Sequence, residues 1–346
     1  MAYTTINKSK DYFNTKLFTA NASTQSITGV GFQPDMVWGK SRGNAYDHEV
    51  YDAVRGVYKR IKTNQNHAEA SDTGNLTSFD SDGFSLGSAT NMNYSNGDNI
   101  VSWNWKANGQ GSSNTDGSIN TTYTSANTTS GFSIVKYTGT GSNATVGHGL
   151  GAVPKMIIVK CLDQTHWWFV YHSAVGNTKK LNLNTTNDSG SASANYWNNT
   201  TPTSSVFSVG TETSVNQSGQ DYIAYCFSQK SGFSSMGSYV GNGSNDGAFC
   251  YTGFKPGFIM IKSSTTAMYW HIFDDKRQGF NPNNYRLNPN ANEVETTTTG
   301  VIDFLSNGFK IRTNQQQFGT SGATYIWMAF AESPIVSSNG VPATAR

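Results

Sequence analysis

Two kinds of hydrophobic pattern recur along the chain, and both predict short β-strands. Residues 156–159 and 258–261 are apolar at consecutive positions, as in a strand that is covered on both faces. Val101, Trp103 and Trp105 instead alternate with Ser and Asn, so we expect them to share one face of a strand and to pack inward. The same alternation is found at Ile223, Tyr225 and Phe227 and, apart from Trp327, at Ile326, Met328 and Phe330.

These patterns belong to a unit that occurs three times. Residues 34–40, 154–160 and 256–262 each contain a proline, five mostly apolar residues and a lysine. A glycine with an aromatic residue eight positions further on follows each of them at a nearly constant distance, with the glycines at Gly97, Gly219 and Gly322. Three copies of a unit of roughly 100 residues therefore account for most of the chain.

The repeats divide the chain into three predicted modules with a linker and a tail. Inward aromatic residues on stacked sheets predict that each module is a β-sandwich or has a jelly-roll-like fold. We expect module 1, with a short N-terminal arm, at residues 1–107, module 2 at 132–228 and module 3 at 229–332. Residues 108–131 are rich in Gly, Ser, Thr and Asn and predict a linker or an extended arm, and residues 333–346 predict a turn-rich tail.

Composition supports an all-β class. The 346 residues are 36% hydrophobic and only 13% charged, with 35 glycines and abundant Asn and Thr, which favours short strands and many turns. The formal charge of +2 is small and the basic residues are scattered, so nucleic acid is not an expected partner. No segment approaches the roughly 18 apolar residues of a membrane span or the apolar core of a signal peptide, so we expect no membrane insertion and synthesis in a cytoplasm.

The acidic residues do not form a recognisable catalytic set. Asp52 with Arg55 and Asp274 with Arg277 occupy the same place in two repeats, which favours an ion pair that clamps a turn over catalysis. No other spacing specifies a general acid and base, and we predict no catalytic residues. The Gly-x-Ser-x-Gly pattern around Ser85 precedes no convincing helix and is interpreted as a strand with its turn.

Metal and cofactor sites are not predicted either. His166 and His172 flank two tryptophans, but two ligands without a third are weak evidence for zinc. Three cysteines without a Cys-x-x-Cys pair favour buried free thiols, at Cys161, Cys226 and Cys250.

An aromatic pair is the best candidate for a contact site. Tyr196 and Trp197 stand in a polar loop and have no periodic partner, and Asn198 follows them. Exposed rings flanked by amides suit stacking against sugars, while the amides bond hydroxyl groups. The alternative is that the two rings fold back onto their own module. The variable polar loops at 67–78, 187–204 and 291–300 are further places where a repeated scaffold keeps recognition.

Four phrases give the chain a resemblance to a known family. They are YTTINK with DYFN at residues 3–8 and 11–14, ITGVGFQPDMVW at 27–38, GDNIVSWNWKA at 97–107 and SNGVP at 338–342. Together they resemble repeat-containing, tail-fibre-like virion structural proteins of tailed phages of aquatic (marine or cyanobacterial) bacteria. The chain departs from a typical fibre because no N-terminal anchor and no heptad or collagen-like shaft precedes the first repeat.

The resemblance implies a non-enzymatic structural protein of the virion, a tail-fibre or tail-tip component that takes part in host-surface attachment. The expected partners are other virion proteins, further copies of the chain, with a trimer favoured, and a host cell-surface glycan; no cofactor is expected. Two alternatives stay open. One is a capsid decoration protein that stabilises the head shell, and the other is a glycan-degrading enzyme of the tailspike type, which a carboxylate pair in a cleft would support.

Overall fold

The computed structural model describes residues 4–332, with the side chains of 298 and 299 excepted, and the backbone alone of 335–336 and 342–343. The tail predicted at 333–346 therefore lies largely outside the described residues. Short strands make up almost all of the regular structure, which confirms the predicted all-β class.

The strand bounds are as follows. The first stretch contains a 3-10 helix (Ser9–Asp11) and strands β1 (Phe13–Thr19), β2 (Gln25–Thr28), β3 (Met36–Ser41), β4 (Glu49–Asp52), β5 (Lys59–Arg60), β6 (Ala70–Ser71), β7 (Leu76–Asp80), β8 (Gly83–Leu86) and β9 (Asn99–Trp105). The second contains β10 (Tyr123–Asn127), β11 (Phe132–Thr138), β12 (Ala144–Gly147), β13 (Pro154–Cys161), β14 (Phe169–His172), β15 (Leu181–Asn182), helix α1 (Ala194–Trp197), β16 (Val206–Val209), helix α2 (Thr213–Asn216) and β17 (Asp221–Ser228). The third contains β18 (Ser234–Val240), β19 (Phe249–Tyr251), β20 (Pro256–Ser263), β21 (Trp270–Asp274), β22 (Asn283–Arg286), β23 (Thr296–Leu305), β24 (Gly308–Ile311), β25 (Thr324–Ala331), β26 (Ile335–Val336) and β27 (Pro342–Ala343).

Three main sheets share one strand order. The first main sheet runs β1-β9-β3-β4, and the third runs β18-β25-β20-β21. The second main sheet contains the same core, β11-β17-β13-β14, with β10 and β15 added at its two edges. In each sheet the predicted central strand pairs antiparallel with the predicted closing strand, for example Met260 with Met328. The repeated sequence pattern therefore corresponds to a repeated strand order.

Each main sheet packs on a smaller sheet through one of its faces. The smaller sheets are β2-β8-β7, β12-β16 and β19-β24-β23-β22. Val37 and Ile100 of the first main sheet, for example, pack in one buried cluster with Ile27 and Phe84 of its small sheet. Similar clusters lie beneath the second and third main sheets.

The opposite faces of the three main sheets meet in one central core. This cluster contains Trp105, Phe227 and Phe330, the last large residues of the three closing strands. The ring centroids of Trp105 lie 6.3 Å from Phe227 and 5.8 Å from Phe330, and those of Phe227 and Phe330 lie 6.1 Å apart. The three sheets are thus arranged around a pseudo-threefold axis that passes between these rings.

This arrangement corrects the expected location of the alternating aromatic residues. Trp103, Tyr225 and Met328 are buried as predicted, but they face the central core and not the small sheet of their own repeat. Trp327, which broke the sequence pattern, lies on the opposite face and packs against Phe309 at 5.4 Å.

Backbone hydrogen bonds join the three repeats in a cycle, the first to the second, the second to the third and the third to the first. The N–H of Glu69 donates to the carbonyl of Leu162, that of Ser189 to Ser264, and that of Glu295 to Arg42. These donors lie in the three variable loops that the sequence predicted for recognition. Part of each loop therefore forms the contact between one repeat and the next.

The segment predicted as a linker also forms regular structure. Residues 123–127 form β10, which pairs along its length with β11 at the edge of the second main sheet. Before it, Ile119 bridges to Val146, and Gly111 lies so close to the carbonyl of Thr124 that a Cβ there would stand 2.2 Å from the oxygen. Much of residues 108–131 is thus laid against the second repeat.

Candidate functional site

The Asp–Arg pairs predicted as turn clamps are buried ion pairs. Arg55 Nε lies 2.5 Å from Asp52 Oδ2, and Arg277 Nε lies 2.6 Å from Asp274 Oδ2, with all four side chains almost fully buried. Neither carboxylate is open to a ligand in this geometry. The prediction of a structural ion pair is confirmed at both places.

The predicted contact pair Tyr196 and Trp197 lies in a single helical turn. Ser193 caps the turn by accepting a hydrogen bond from the N–H of Asn195 at 3.1 Å. Asn198 ends the turn in the left-handed region with φ of 50°, a conformation that Asn tolerates better than most residues.

Only part of this pair is available at the surface. Trp197 is 2% exposed, its ring lies 5.9 Å from that of Tyr171, and its Nε1 donates to the carbonyl of Lys179 at 2.9 Å. The prediction of an exposed ring is therefore wrong for Trp197, because the turn directs it into the core under the second main sheet. Tyr196 and Asn198 are half-buried, and a glycan contact by them stays a prediction.

Tyr196 belongs to a small cluster of aromatic and cationic side chains. Its ring lies edge-on to buried Phe169 at 5.6 Å. Lys180 Nζ lies 4.9 Å from the Phe169 centroid, 5.9 Å from that of Tyr196 and 5.8 Å from that of Trp167. Burial lowers the pKa of Lys180, and the charges of Glu212 and Asp188 counter that effect. The ammonium group of Lys180 therefore lies within the distance of a cation–π interaction from all three rings.

Trp167 is the exposed ring of this cluster. It is 48% exposed, whereas its neighbour Trp168 is 1% exposed. The Nε1 of Trp168 donates to the carbonyls of Lys62 and Gln65, both at 3.0 Å, which anchors the turn to the first repeat. Trp168 thus fixes the backbone from which Trp167 projects outward.

A groove of about 250 Å³ adjoins Trp167. It lies between the first and second repeats, because Asn66 contributes to one wall and His166, Glu212 and Ser214 to the other. His166 is held by a 2.9 Å hydrogen bond between its Nε2 and Gln217 Oε1. We call Trp167, Lys180, Tyr196 and this groove the Trp167 surface.

The Trp167 surface combines a flat apolar ring with hydrogen-bonding groups. The indole face can stack on the C–H face of a sugar, while carboxylate, amide and imidazole groups beside it can bond hydroxyl groups. Within the part of the chain that the structure describes, Glu212 is the single carboxylate that lines the groove. The geometry suits binding, and it does not present the two carboxylates of a glycosidase.

The other sequence candidates have structural roles. His172 is buried, and its Nε2 lies 3.3 Å from the carbonyl oxygen of Trp327. His166 lies before β14 begins, so the two histidines do not share a strand face. Ser85 lies within β8 and bonds Ser26 at 2.9 Å and Asp80 at 2.8 Å. All three cysteines are buried. Among the described residues, no group of three or more His, Cys, Asp or Glu could hold a metal ion, and no helix is long and apolar enough to cross a membrane.

Sequence reasoning did not identify Trp167 as the exposed ring of this cluster. The tandem tryptophans were visible in the sequence, but they precede β14 and have no period-2 context that would separate an inward ring from an outward one. A signal that could have found it is the pair of lysines just before β15, because Lys180 is the cation that lies over the Trp167 ring.

The fold and site define an all-β protein with a core shared by three sheets and an exposed aromatic surface. Residues 8–334 match the model of a family described as "Domain of unknown function (DUF7483)", and the chain therefore belongs to that family. A search of curated proteins and a search of solved structures each gave no significant match.

Proposed function

We propose that the chain is a non-enzymatic structural protein of a phage virion, a tail-fibre or tail-tip component that contributes to host-surface attachment. The resemblance in the sequence supports the virion setting. The exposed Trp167 beside Lys180 and a polar groove is the observation that carries the attachment role, because aromatic rings with a few convergent polar groups are the usual lining of a ligand site.

The proposed architecture is three tandem β-sandwich modules of roughly 100 residues. The shared strand order of the main sheets and the small sheet beneath each of them support this division. The common core makes the modules one rigid body, so the Trp167 surface is held in a constant orientation. A homotrimer of the chain would present three such surfaces, and weak contacts would then be multiplied by valency.

Binding of the labelled full chain to host cells tests this function. Flow cytometry would compare the wild type with Trp167→Ala and Trp167→Ala/Tyr196→Ala. We expect about a fivefold loss of bound protein at subsaturating concentration, because a stacking ring contributes about 1 kcal/mol. Tyr94→Ala is the matched control, since Tyr94 is 61% exposed but lies in the first repeat. Unchanged binding by both Trp167 variants would contradict the attachment role of this surface.

A capsid decoration protein is the second candidate. The contacts of the 108–131 segment with the second repeat show that this chain can lay an extended segment along a β-sheet edge, which is what a clamp between shell subunits requires. Quantitative mass spectrometry of purified virions with antibody labelling separates the two candidates. A few to a few tens of copies at the tail support attachment, and hundreds of copies over the head would replace it with decoration.

A glycan-degrading enzyme ranks below both. Asp275 and Glu332 do share a cleft of about 340 Å³, and burial raises the pKa of Asp275 to about 6. Each carboxylate is occupied, however, since Lys276 lies 2.9 Å from Asp275 and Lys255 lies 2.8 Å from Glu332. Release of reducing sugar from host polysaccharide by the wild type, and its loss in Asp275→Asn, would favour the enzyme.

A further inference from the structure

A larger pocket lies in the third repeat, away from the Trp167 surface. It has a volume of about 600 Å³ and is formed by the loop before β22 and the turn between β23 and β24. Phe280 stands at this pocket with 72% of its surface exposed, the largest exposed fraction among the large hydrophobic residues of the described chain. Phe304 and Leu305 add apolar surface. An exposed ring that lines a pocket together with other apolar residues is a candidate contact for a ligand.

The loop that carries Phe280 is an insertion in the repeat. Val50, Val170 and Ile272 occupy corresponding positions, and each pairs with one residue further along its own repeat: Ile61, Leu181 and Leu287. Eleven residues separate the members of the first two pairs in sequence, whereas fifteen separate Ile272 from Leu287. The third repeat thus has four additional residues in the segment that carries Phe280. Insertions on a repeated scaffold are where such proteins place specific binding.

A buried polar atom at this pocket has no partner. Asn283 is 1% exposed, and its Nδ2 donates to the carbonyl of Asp274 at 2.7 Å. Its Oδ1 accepts no hydrogen bond from the described residues. The neighbouring amide of Gln278 is satisfied on both atoms, by Asn284 N–H and Pro282 O, each at 2.9 Å. This oxygen has almost no accessible surface, so a ligand in the pocket does not reach it, and the polar groups open to a ligand are those of the exposed residues Ser306 and Asn307.

The charge of the pocket restricts the class of that ligand. Lys255 is the single charged residue among its described lining residues, and Glu332 neutralises it at 2.8 Å. The other polar groups are the hydroxyl of Ser306 and the amides of Gln278, Asn281, Asn283 and Asn307. Amides beside an exposed aromatic ring match a molecule that has hydroxyl groups on its edge and C–H groups on its face.

We propose that this pocket binds a neutral saccharide. A pyranose unit stacks its C–H face on Phe280, and its hydroxyl groups form hydrogen bonds with the Ser306 hydroxyl and the Asn307 amide. The proposal rests on the proposed attachment function, which it extends by a second site and by the class of glycan recognised. It uses none of the residues of the Trp167 surface, so the two sites can be tested separately.

Saturation-transfer NMR with the full chain tests the pocket. The neutral probes are maltohexaose, cellohexaose and mannohexaose, and a hexamer of galacturonic acid is the charged counterpart. We expect saturation transfer to at least one neutral probe at millimolar concentration. Phe280→Ala is expected to weaken that binding about tenfold or more, because it removes the stacking face from an exposed position. Asn307→Ala should weaken it less, and Tyr94→Ala should leave it unchanged.

The variants separate this proposal from the attachment function. Binding that is lost in Phe280→Ala and kept in Trp167→Ala supports the pocket. Binding that is lost in Trp167→Ala and kept in Phe280→Ala overturns the pocket and leaves the Trp167 surface standing. Transfer to the galacturonate hexamer alone, or to no probe at all, overturns the assignment to neutral saccharides, while cell binding by the Trp167 surface remains a separate measurement.

Discussion

The hydroxyl of Tyr225 donates a 2.7 Å hydrogen bond to Asp52 Oδ2, and this bond joins the second main sheet to the first. The same carboxylate accepts a hydrogen bond from Arg55, whose Nη1 lies 3.1 Å from Glu69 Oε2. An equivalent contact joins the first main sheet to the third, where Trp103 Nε1 donates to Asp274 Oδ2 at 3.0 Å. In both cases a donor on one closing strand bonds the aspartate of a buried Asp–Arg ion pair in a neighbouring sheet.

The boundary between the second and third main sheets has no charged residues at the equivalent positions. Met328 stands where the donors Tyr225 and Trp103 stand, and His172 replaces the aspartate. Val175 replaces the arginine. Burial lowers the pKa of His172 to about 4, so the imidazole is neutral near pH 7. The donor, the carboxylate and the guanidinium are absent together, as expected because a charge kept alone would be buried without a partner.

Removal of the Tyr225 hydroxyl should destabilise the fold more than removal of a hydroxyl that meets a neutral acceptor. Tyr225→Phe leaves the Asp52 carboxylate with one donor fewer in a buried site, and we expect a loss of about 1.5–3 kcal/mol in the free energy of unfolding. Tyr137→Phe is the control, since its hydroxyl donates to the carbonyl of Val215 at the same 2.7 Å. There the expected loss is about 1 kcal/mol. Urea denaturation measures both, and equal losses would show that the charge of Asp52 does not matter.

At this uncharged boundary a single buried charge should lower the stability of the fold, and an oppositely charged pair should lower it less. His172→Asp places a carboxylate in a fully buried position and should cost about 3–5 kcal/mol. The double variant His172→Asp/Val175→Arg rebuilds the pair found at Asp52 and Asp274 and should recover much of that loss. Thermal and urea unfolding of the single and double variants measure the coupling. A double variant no more stable than His172→Asp would mean that the charged pairs depend on the donors Tyr225 and Trp103.

The strands were predictable from the sequence, and the common core was not. Consecutive apolar residues at 258–261 show that both faces of β20 are covered, and they do so whether the second cover is a small sheet or a neighbouring repeat. Period-2 alternation at Val101, Trp103 and Trp105 likewise identifies a buried face without identifying its partner. The cyclic packing depends on contacts between residues far apart in sequence, such as Tyr225 with Asp52, which no local pattern contains.

The candidate site was predictable only in its neighbourhood. Tyr196 lies in the predicted loop and at the cluster that contains Trp167. The orientation of Trp197 could not be inferred, because a single capped turn sets it and a four-residue helix has no hydrophobic period to read. The pocket at Phe280 was not anticipated, since its insertion becomes visible only when the pairing of Ile272 with Leu287 is known.

The lysine one residue before the end of each central strand is explained by the structure. Lys40, Lys160 and Lys262 are fully buried. The ammonium groups donate to the carbonyl of the next residue at 2.6, 2.6 and 2.8 Å. Each also reaches a carbonyl four residues further on, so the lysine closes the turn that follows the strand. Burial lowers the pKa of Lys40 and Lys160 to about 8 and that of Lys262 to about 7.

These lysines should make the fold more stable as pH rises above 7. The folded chain binds fewer protons than the unfolded chain between the lowered pKa of about 7 for Lys262 and the ordinary lysine value of 10.5. The free energy of unfolding therefore increases with pH in this window, and that part of the stability is lost as pH falls toward 7. Measurements should stop near pH 8.5, because burial raises the pKa of Cys226 and Cys250, and ionisation of these thiols in the unfolded chain opposes the effect at higher pH.

Lys262→Met isolates one contribution to this slope. The variant loses the hydrogen bonds of the ammonium at every pH, so its absolute stability should fall, but the increase between pH 7 and pH 8.5 should also be smaller by about 1 kcal/mol. Urea denaturation at the two pH values gives the difference directly. Lys8→Met is the control, because Lys8 is exposed and its removal should leave the slope unchanged. A slope in Lys262→Met equal to that of the wild type would mean that the ammonium of Lys262 is not held at a lowered pKa in the fold, and that the turn after β20 tolerates the charge without cost.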